Sequence, residues 1–412
     1  MSTRTQHPRR TPRGTARLRT RGAGLLCAAV LLAAAAGCSA PGTATGRLGE
    51  PGPGSGDAPA PAPAREAGFT LVATGDVLPH TSVIDRAAAD APGAGYDFRP
   101  MFAGVAPVVS AADLALCHME TVFGEEDGPF SGYPAFVSPP QVADGVKDTG
   151  YDGCSTASNH TLDDGAAGLR RTLDRFDAVG LGHAGSARTA KEAATPATYR
   201  AGTAKVAHLA YTYGTNGHPM PEGMPWAVNL TERDRIVADA RAARRAGADV
   251  VLVSLHWGTE WQTEPDEGQI TLGRALTASD TGGRPDVDLI LGTHAHVPQA
   301  SEKVNGTWIV YGMGDQVAGT MFNHSGAFDA RGNHSSIARF RFEPPGSPGQ
   351  RWRVTRAEFI PQRWDLRAGR VVNLPAALAA DPGRADHESA QESITEAVLS
   401  RGAAKDGLTM GR

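Results

Sequence analysis

Leu289-Ile290-Leu291-Gly292-Thr293-His294-Ala295-His296 is a short apolar run that breaks at a glycine and delivers two histidines one residue apart. A run of this length bounded by glycine reads as a buried strand. Working outward, the same ending recurs. Val250-Val251-Leu252-Val253-Ser254-Leu255 leads into His256-Trp257-Gly258, and Phe69-Thr70-Leu71-Val72-Ala73-Thr74 leads into Gly75-Asp76. Asp113-Leu114-Ala115-Leu116-Cys117 leads into His118-Met119-Glu120, and a weaker candidate strand from Tyr151 to Ser158 leads into Asn159-His160. In open α/β sheets the ligand site lies beyond the carboxyl ends of the strands. One His or Asp at a strand end is ordinary turn chemistry. Five strand ends carrying metal-capable residues point to one shared site.

Helical patterns separate these runs. Leu169, Leu173, Phe176 and Val179 fall on one face of a helix that Gly180 ends. Ile236, Val237, Ala240 and Ala243 make a second stripe, with Thr231 and Asp234 spaced for a capping arrangement and Gly247 closing the helix. Alternation of strand and helix predicts an α/β domain.

The chain has 412 residues and a formal net charge of −4. Residues 1–37 hold seven arginines and no acid; without them, 33 basic face 44 acidic residues, a net of −11. An acidic body argues against nucleic-acid binding, which needs clustered Lys and Arg. The arginines precede the apolar run Leu25–Ala36, too short to span a bilayer, and together they read as an export signal, residues 1–37. Ala35-Ala36-Gly37-Cys38 reads as a lipobox with Cys38 as the lipidated residue; cleavage nearby with Cys38 uninvolved is the alternative. Residues 38–66 are a Pro/Gly/Ala tether, 67–375 the globular domain, and 376–412 a polar C-terminal tail. Cys117 and Cys154 are either a disulfide or two buried thiols.

The pieces, in their order and spacing, resemble the capsule-synthesis CapA family of the calcineurin-like metallophosphatase superfamily, from about Phe69 to Gln316. They are Gly75-Asp76-Val77, Glu120 in an Asn-x-Glu position, Ser158-Asn159-His160-x-x-Asp163-x-Gly165, His256-Trp257-Gly258-x-Glu260, and Gly292-x-His294-x-His296-x-x-Gln299. The resemblance implies a four-layer α/β/β/α sandwich around two mixed sheets, with two divalent ions of Mn, Fe or Zn. Asp76 would bind the first metal and Glu120 would bridge. Asn159, His256 and His294 would bind the second, and His296 would return to the first. His160 would stay free as the general acid. Trp257 and Glu260 either line the site or support it by packing, and Asp163 with Gly165 reads as the start of the next helix. Three departures stand out. Leu78 replaces the His of Asp-x-His, with His80 two residues on; His118 replaces Asn in Asn-x-Glu; and Gly314-Asp315-Gln316 replaces Gly-Asn-Phe. The first metal is then short of ligands unless water or His80 completes it.

The expectation is an exported, lipid-anchored protein on the outer face of the cell membrane, or a secreted one if Cys38 is not lipidated. Its metal-dependent hydrolase core would act on an anionic envelope polymer of the poly-γ-glutamate kind, or on another phosphoester. The alternative is a non-catalytic polymer-binding or assembly lipoprotein that keeps the fold.

Overall fold

The computed structural model describes residues 68–347 and 350–412. The export-type run, Cys38 and the tether lie outside these residues. The chain first lays down four strands, β1 (Phe69–Val77), β2 (Leu114–Met119), β3 (Gly153–Ser155) and β4 (Gly182–Ala184). It then builds a second sheet from β5 (Ala197–Ala201), β6 (Ala204–Thr212), β7 (Val250–His256), β8 (Leu289–Thr293), β9 (Ser301–Val304) and β10 (Thr307–Val310). Finally it returns to the first sheet with β11 (Asp315–Val317), β12 (His334–Glu343), β13 (Arg353–Asp365), β14 (Arg370–Asn373) and β15 (Leu408–Met410). The first sheet runs β14-β13-β12-β1-β2-β3-β4, with β11 beside β1 and β15 beside β13; the second runs β9-β10-β8-β7-β6-β5. Both are mixed, β1 being parallel to β2 but antiparallel to β12, and β8 parallel to β7 while β9 and β10 are antiparallel.

Alternation along the strands explains the layers. In β1, Leu71 and Ala73 face the second sheet, whereas Val72 faces helices; in β7, Val250 and Leu252 face the first sheet, while Val251, Val253 and Leu255 face the other way. Strands covered on both faces need apolar residues at every position, which is why these runs are continuous. Helices α1 (Thr81–Asp90), α2 (Val142–Thr149) and α3 (Gly165–Val179) cover the first sheet, and α4 (Arg233–Arg245) and α5 (Glu267–Thr277) the second. The result is the expected four-layer sandwich. Gly180 ends α3 in the left-handed region, at φ 74°. No helix among the described residues is long and apolar enough to cross a membrane.

Two expectations need revision. Thr231 does not cap α4: the N-cap is Glu232, and the Thr231 backbone is tied instead to Thr212 at the end of β6. Residues 376–412 are not a loose tail. Helix α6 (Ala385–Leu399) sends Ala390, Ile394 and Val398 into the core between the sheets, and β15 pairs with β13. Ala390, Ile394 and Val398 at four-residue spacing, with Leu399 packed beside them, dock a helix whose remaining positions are mostly polar or small. The cysteine alternatives resolve as well: Cys117 and Cys154 lie opposite each other on β2 and β3 and form a disulfide.

Candidate metal centre

The strand ends meet. Asp76, near the end of β1, lies in register with His118 of β2 on one side and with Asp315 of β11 on the other. Gly75 permits this crossing, because a β-carbon there would sit 1.8 Å from the Gly314 carbonyl oxygen. Glu120 follows β2 by one residue. From the second sheet come His256, the last residue of β7, and His294 and His296, just past β8. A bank of carboxylates from one sheet therefore faces a bank of imidazoles from the other.

Ligand-capable atoms of Asp76, Glu120, His296 and Asp315 lie within 4.8 Å of one another, as do those of Glu120, His256 and His294. Glu120 belongs to both groups. Two further groups, Asp76-His118-His256 and Glu260-His294-His296, overlap them. Asn159 reaches the same place, its Oδ1 2.8 Å from His256 Nε2. Asp315 fills the position that water or His80 was expected to fill. His118, at a strand end, and Asp315, in the Gly314-Asp315-Gln316 departure, are both drawn into these groups.

Hydrogen bonds orient the set. His118 Nδ1 pairs with Ser155 Oγ at 2.7 Å, His256 Nδ1 with Thr293 Oγ1 at 3.0 Å, and His296 Nδ1 with Asp315 Oδ1 at 3.0 Å. The His294 backbone N–H donates to Asp76 Oδ2 at 3.1 Å. Such supporting contacts fix ligand orientation. His294 and His296 have φ of 90° and 58°, a region costly for side chains with a β-carbon and concentrated at functional sites.

Buried polar atoms are nearly always paired in folded proteins. Here Asp76 Oδ1, His118 Nε2, both Glu120 carboxylate oxygens, His294 Nδ1 and Asp315 Oδ2 have no hydrogen-bond partner, and all belong to these groups. Oxygen and nitrogen donors left open around one point, with three buried carboxylates among them, fit a divalent cation.

Electrostatics agree. Burial, reinforced by Asp315, raises the Asp76 carboxyl well above its usual range, and burial with Asp76 does the same to Glu120. Burial also raises Asp315, against the pull of His296. For His296 burial works downward, but Asp315 and Glu120 outweigh it and the imidazole is raised. Burial pushes His118 down to about 3 and His80 down to about 4, and it depresses His256 and His294. The depressed histidines favour the fold above the unfolded-chain pKa of about 6.5 and lose that contribution as pH falls. The raised carboxyls act oppositely, holding protons that the unfolded chain releases above about pH 4. His296, raised above 6.5, and the raised carboxyls hold protons that the unfolded chain has released, so these groups cost stability as pH rises past 6.5. Metal-free protein should therefore show a falling Tm from pH 6.5 to 8 in differential scanning calorimetry. Saturating Mn or Zn should reverse that slope, because cations require the deprotonated ligands. A Tm flat or rising in metal-free protein over this window contradicts the assignment.

The remaining candidates lie around the centre. His160 Nδ1 pairs with Asp163 Oδ2 at 2.6 Å, and the same carboxylate oxygen accepts the Phe136 backbone N–H at 2.6 Å. Asp163 is thus a buried support for His160, and not a residue of α3, which begins at Gly165. His80 joins none of the four groups; its ring stands edge-on to Phe136, 4.9 Å between centroids. Trp257 packs on Tyr311 and donates to its carbonyl at 2.9 Å, a core role. Glu260 stands beside His294 and His296. Tyr213, which the sequence did not single out, lies over His294 with centroids 4.5 Å apart.

Carboxylates and imidazoles gathered where strands of two facing sheets end define a candidate metal centre in an α/β/β/α sandwich. The family model for the bacterial capsule synthesis protein PGA_cap matches residues 70–320, and the chain belongs to that family. It is 30% identical over 174 residues to the PGA biosynthesis protein CapA of Bacillus subtilis, covering 42% of this chain and 44% of the relative. It is 28% identical over 179 residues to the capsule biosynthesis protein CapA of Bacillus anthracis, covering 42% and 41%. The matches thus span under half the length of these relatives. Among solved structures, a calcineurin-like phosphoesterase of Bacillus subtilis aligns over 80% of this chain and 99% of its own, with TM-score 0.41 and 14% identity.

Proposed function

We propose that this protein is a metal-dependent hydrolase that acts on an anionic cell-envelope polymer during its synthesis, processing or anchoring. The observation that carries the reading is Glu120, whose two unpaired carboxylate oxygens are shared by the two ligand groups. Asp76, Glu120, Asp315 and His296 would hold one cation, and Glu120, Asn159, His256 and His294 a second, with His118 in reach of both. Mn, Fe or Zn suits this thiolate-free donor set. When bound, such ions neutralise substrate charge and activate water. The chain itself supplies the rest. Burial disfavours the protonated forms of His256 and His294, and His294 Nδ1 is left without a hydrogen-bond partner. Asp163 fixes the tautomer and direction of His160, which lines the adjoining cavity and would hand a proton to the leaving oxygen. Tyr213 and Phe136 shield the histidines from bulk water.

The test is elemental analysis with turnover on a panel of phosphoesters. Wild type should carry one to two equivalents of cation. His160→Ala should keep that metal and lose about 10²- to 10⁴-fold in kcat. A variant that keeps full cellular function without turnover would favour the non-catalytic assembly reading. No bound metal in wild type would sink the proposal.

The proposal extends to export and to a lipid anchor on Cys38, supported by the basic leader, the apolar run and the tether. Cys38→Ala should move the protein from the membrane fraction to the soluble exported fraction. Unchanged membrane association would refute the anchor.

A further inference from the structure

Beside the metal centre lies a cavity of about 710 Å³ that contains His160, His296 and Glu260 in its lining. Its walls are aromatic. Tyr133 and Phe322 are exposed at 76% and 58%, and with Phe136 and Trp261 they face into it. Large exposed aromatic rings at the rim of a cavity mark a binding surface. Tyr133 stands edge-on to Phe136 at 6.5 Å, and Phe136 in turn meets His80 and His160 at 4.9 and 4.7 Å, so one wall is a continuous run of rings ending at the metal centre.

Both walls are tied to the start of α1. Thr320 N–H donates to Ser82 Oγ at 3.1 Å, and a β-carbon on Gly132 would come 2.8 Å from Thr81 N.

The charge pattern narrows what fits. Among the described residues lining the cavity there is no Lys or Arg, and the one carboxylate, Glu260, stands 3.8 Å from His324. Beyond the metal centre, a polycarboxylate chain laid along this wall would find no Lys or Arg to pair with its successive carboxylates. One anionic group could sit at the metal centre; what extends from it along the wall must be uncharged. The C–H faces of a saturated ring carry slightly positive hydrogens, which complement the negative face of an aromatic ring.

We propose that this cavity is a sugar subsite: it takes the ring of a glycosyl phosphoester whose phosphate faces the metal centre. The inference rests on the metal reading above and narrows the polymer from a polycarboxylate to a phosphate-linked glycan. Tyr133 and Phe322 are the specificity-determining residues.

Equilibrium titration calorimetry on the Mn-loaded full chain tests it, with glucose 1-phosphate, glycerol 1-phosphate and a γ-linked glutamate pentamer as probes. Glucose 1-phosphate should bind about tenfold tighter than glycerol 1-phosphate. Tyr133→Ala and Phe322→Ala, both at exposed positions, should each cut that preference about 3- to 10-fold. No measurable binding of glucose 1-phosphate, no preference over glycerol 1-phosphate, a preference untouched by both substitutions, or tighter binding of the pentamer overturns the subsite. The two readings fail separately. Ring preference without hydrolysis removes the hydrolase and leaves the subsite, whereas hydrolysis without ring preference removes the subsite and leaves the hydrolase.

Discussion

Glu120→Gln should weaken binding of Mn or Zn at least about 100-fold, since even outer contacts to metal ligands are worth 10- to 100-fold and this carboxylate serves both ligand groups. The same substitution should stabilise the metal-free protein, raising its Tm by about 2 °C or more at pH 8. The opposite signs follow from one cause. Glu120 is buried with both oxygens unpaired, and its neighbour Asp76 is another buried carboxylate. Without a cation the group is a liability, costing desolvation and repulsion. With one, it is the shared ligand. Scanning calorimetry with and without metal, beside elemental analysis, reads both halves. Metal binding retained at wild-type affinity would remove Glu120 from the centre.

Gly292→Ala should destabilise the fold by about 3 kcal/mol or more, or prevent soluble expression. A β-carbon at Gly292 would lie 1.9 Å from the Tyr311 carbonyl oxygen and 2.6 Å from Trp257 Nε1. Neither neighbour can retreat. Tyr311 is fully buried and pinned by the Trp257 indole, and β8 is hydrogen-bonded on both edges, to β7 and β10. Displacement of β8 would also carry away His294 and His296. Gly93→Ala is the matched control: a β-carbon there meets nothing within 4 Å, and the change should stay within about 0.5 kcal/mol. Chemical denaturation of both variants decides the matter; equal stability would mean that the strand yields at Gly292.

The strand ends were legible because each is local. An apolar run, a break and a metal-capable residue sit within ten residues of one another, so Asp76, Glu120, Asn159, His256, His294 and His296 could be gathered without knowing how the strands pair. Asp315 needed the pairing. Asp315 meets Asp76 only because β11 lies beside β1, 239 residues later in the chain. Its signal was nonetheless present: Thr307–Val310 is one more apolar run, and Asp315 follows it past two glycines. His118 was visible but was compared with a motif when its own chemistry was already that of a ligand. The docked C-terminal helix escaped because its apolar stripe is only three residues long, and the failed cap at Thr231 escaped because tertiary pairing with Thr212 outcompetes the local bond. The aromatic wall of the neighbouring cavity joins segments near Tyr133 and Phe322, which no local pattern connects.

The division of ligands between sheets has a mechanical consequence. Carboxylates of one sheet and imidazoles of the other make any bound cation a rivet through one edge of the sandwich, while the apolar core and ion pairs such as Arg351–Asp288 and Arg401–Glu302 hold the layers elsewhere. Stripped of it, that edge is where the two layers would first part under load, and the opposite edge would act as the fulcrum. Force applied across the layers should thus meet a stiff, metal-dependent yield point at one rim and ordinary core resistance at the other.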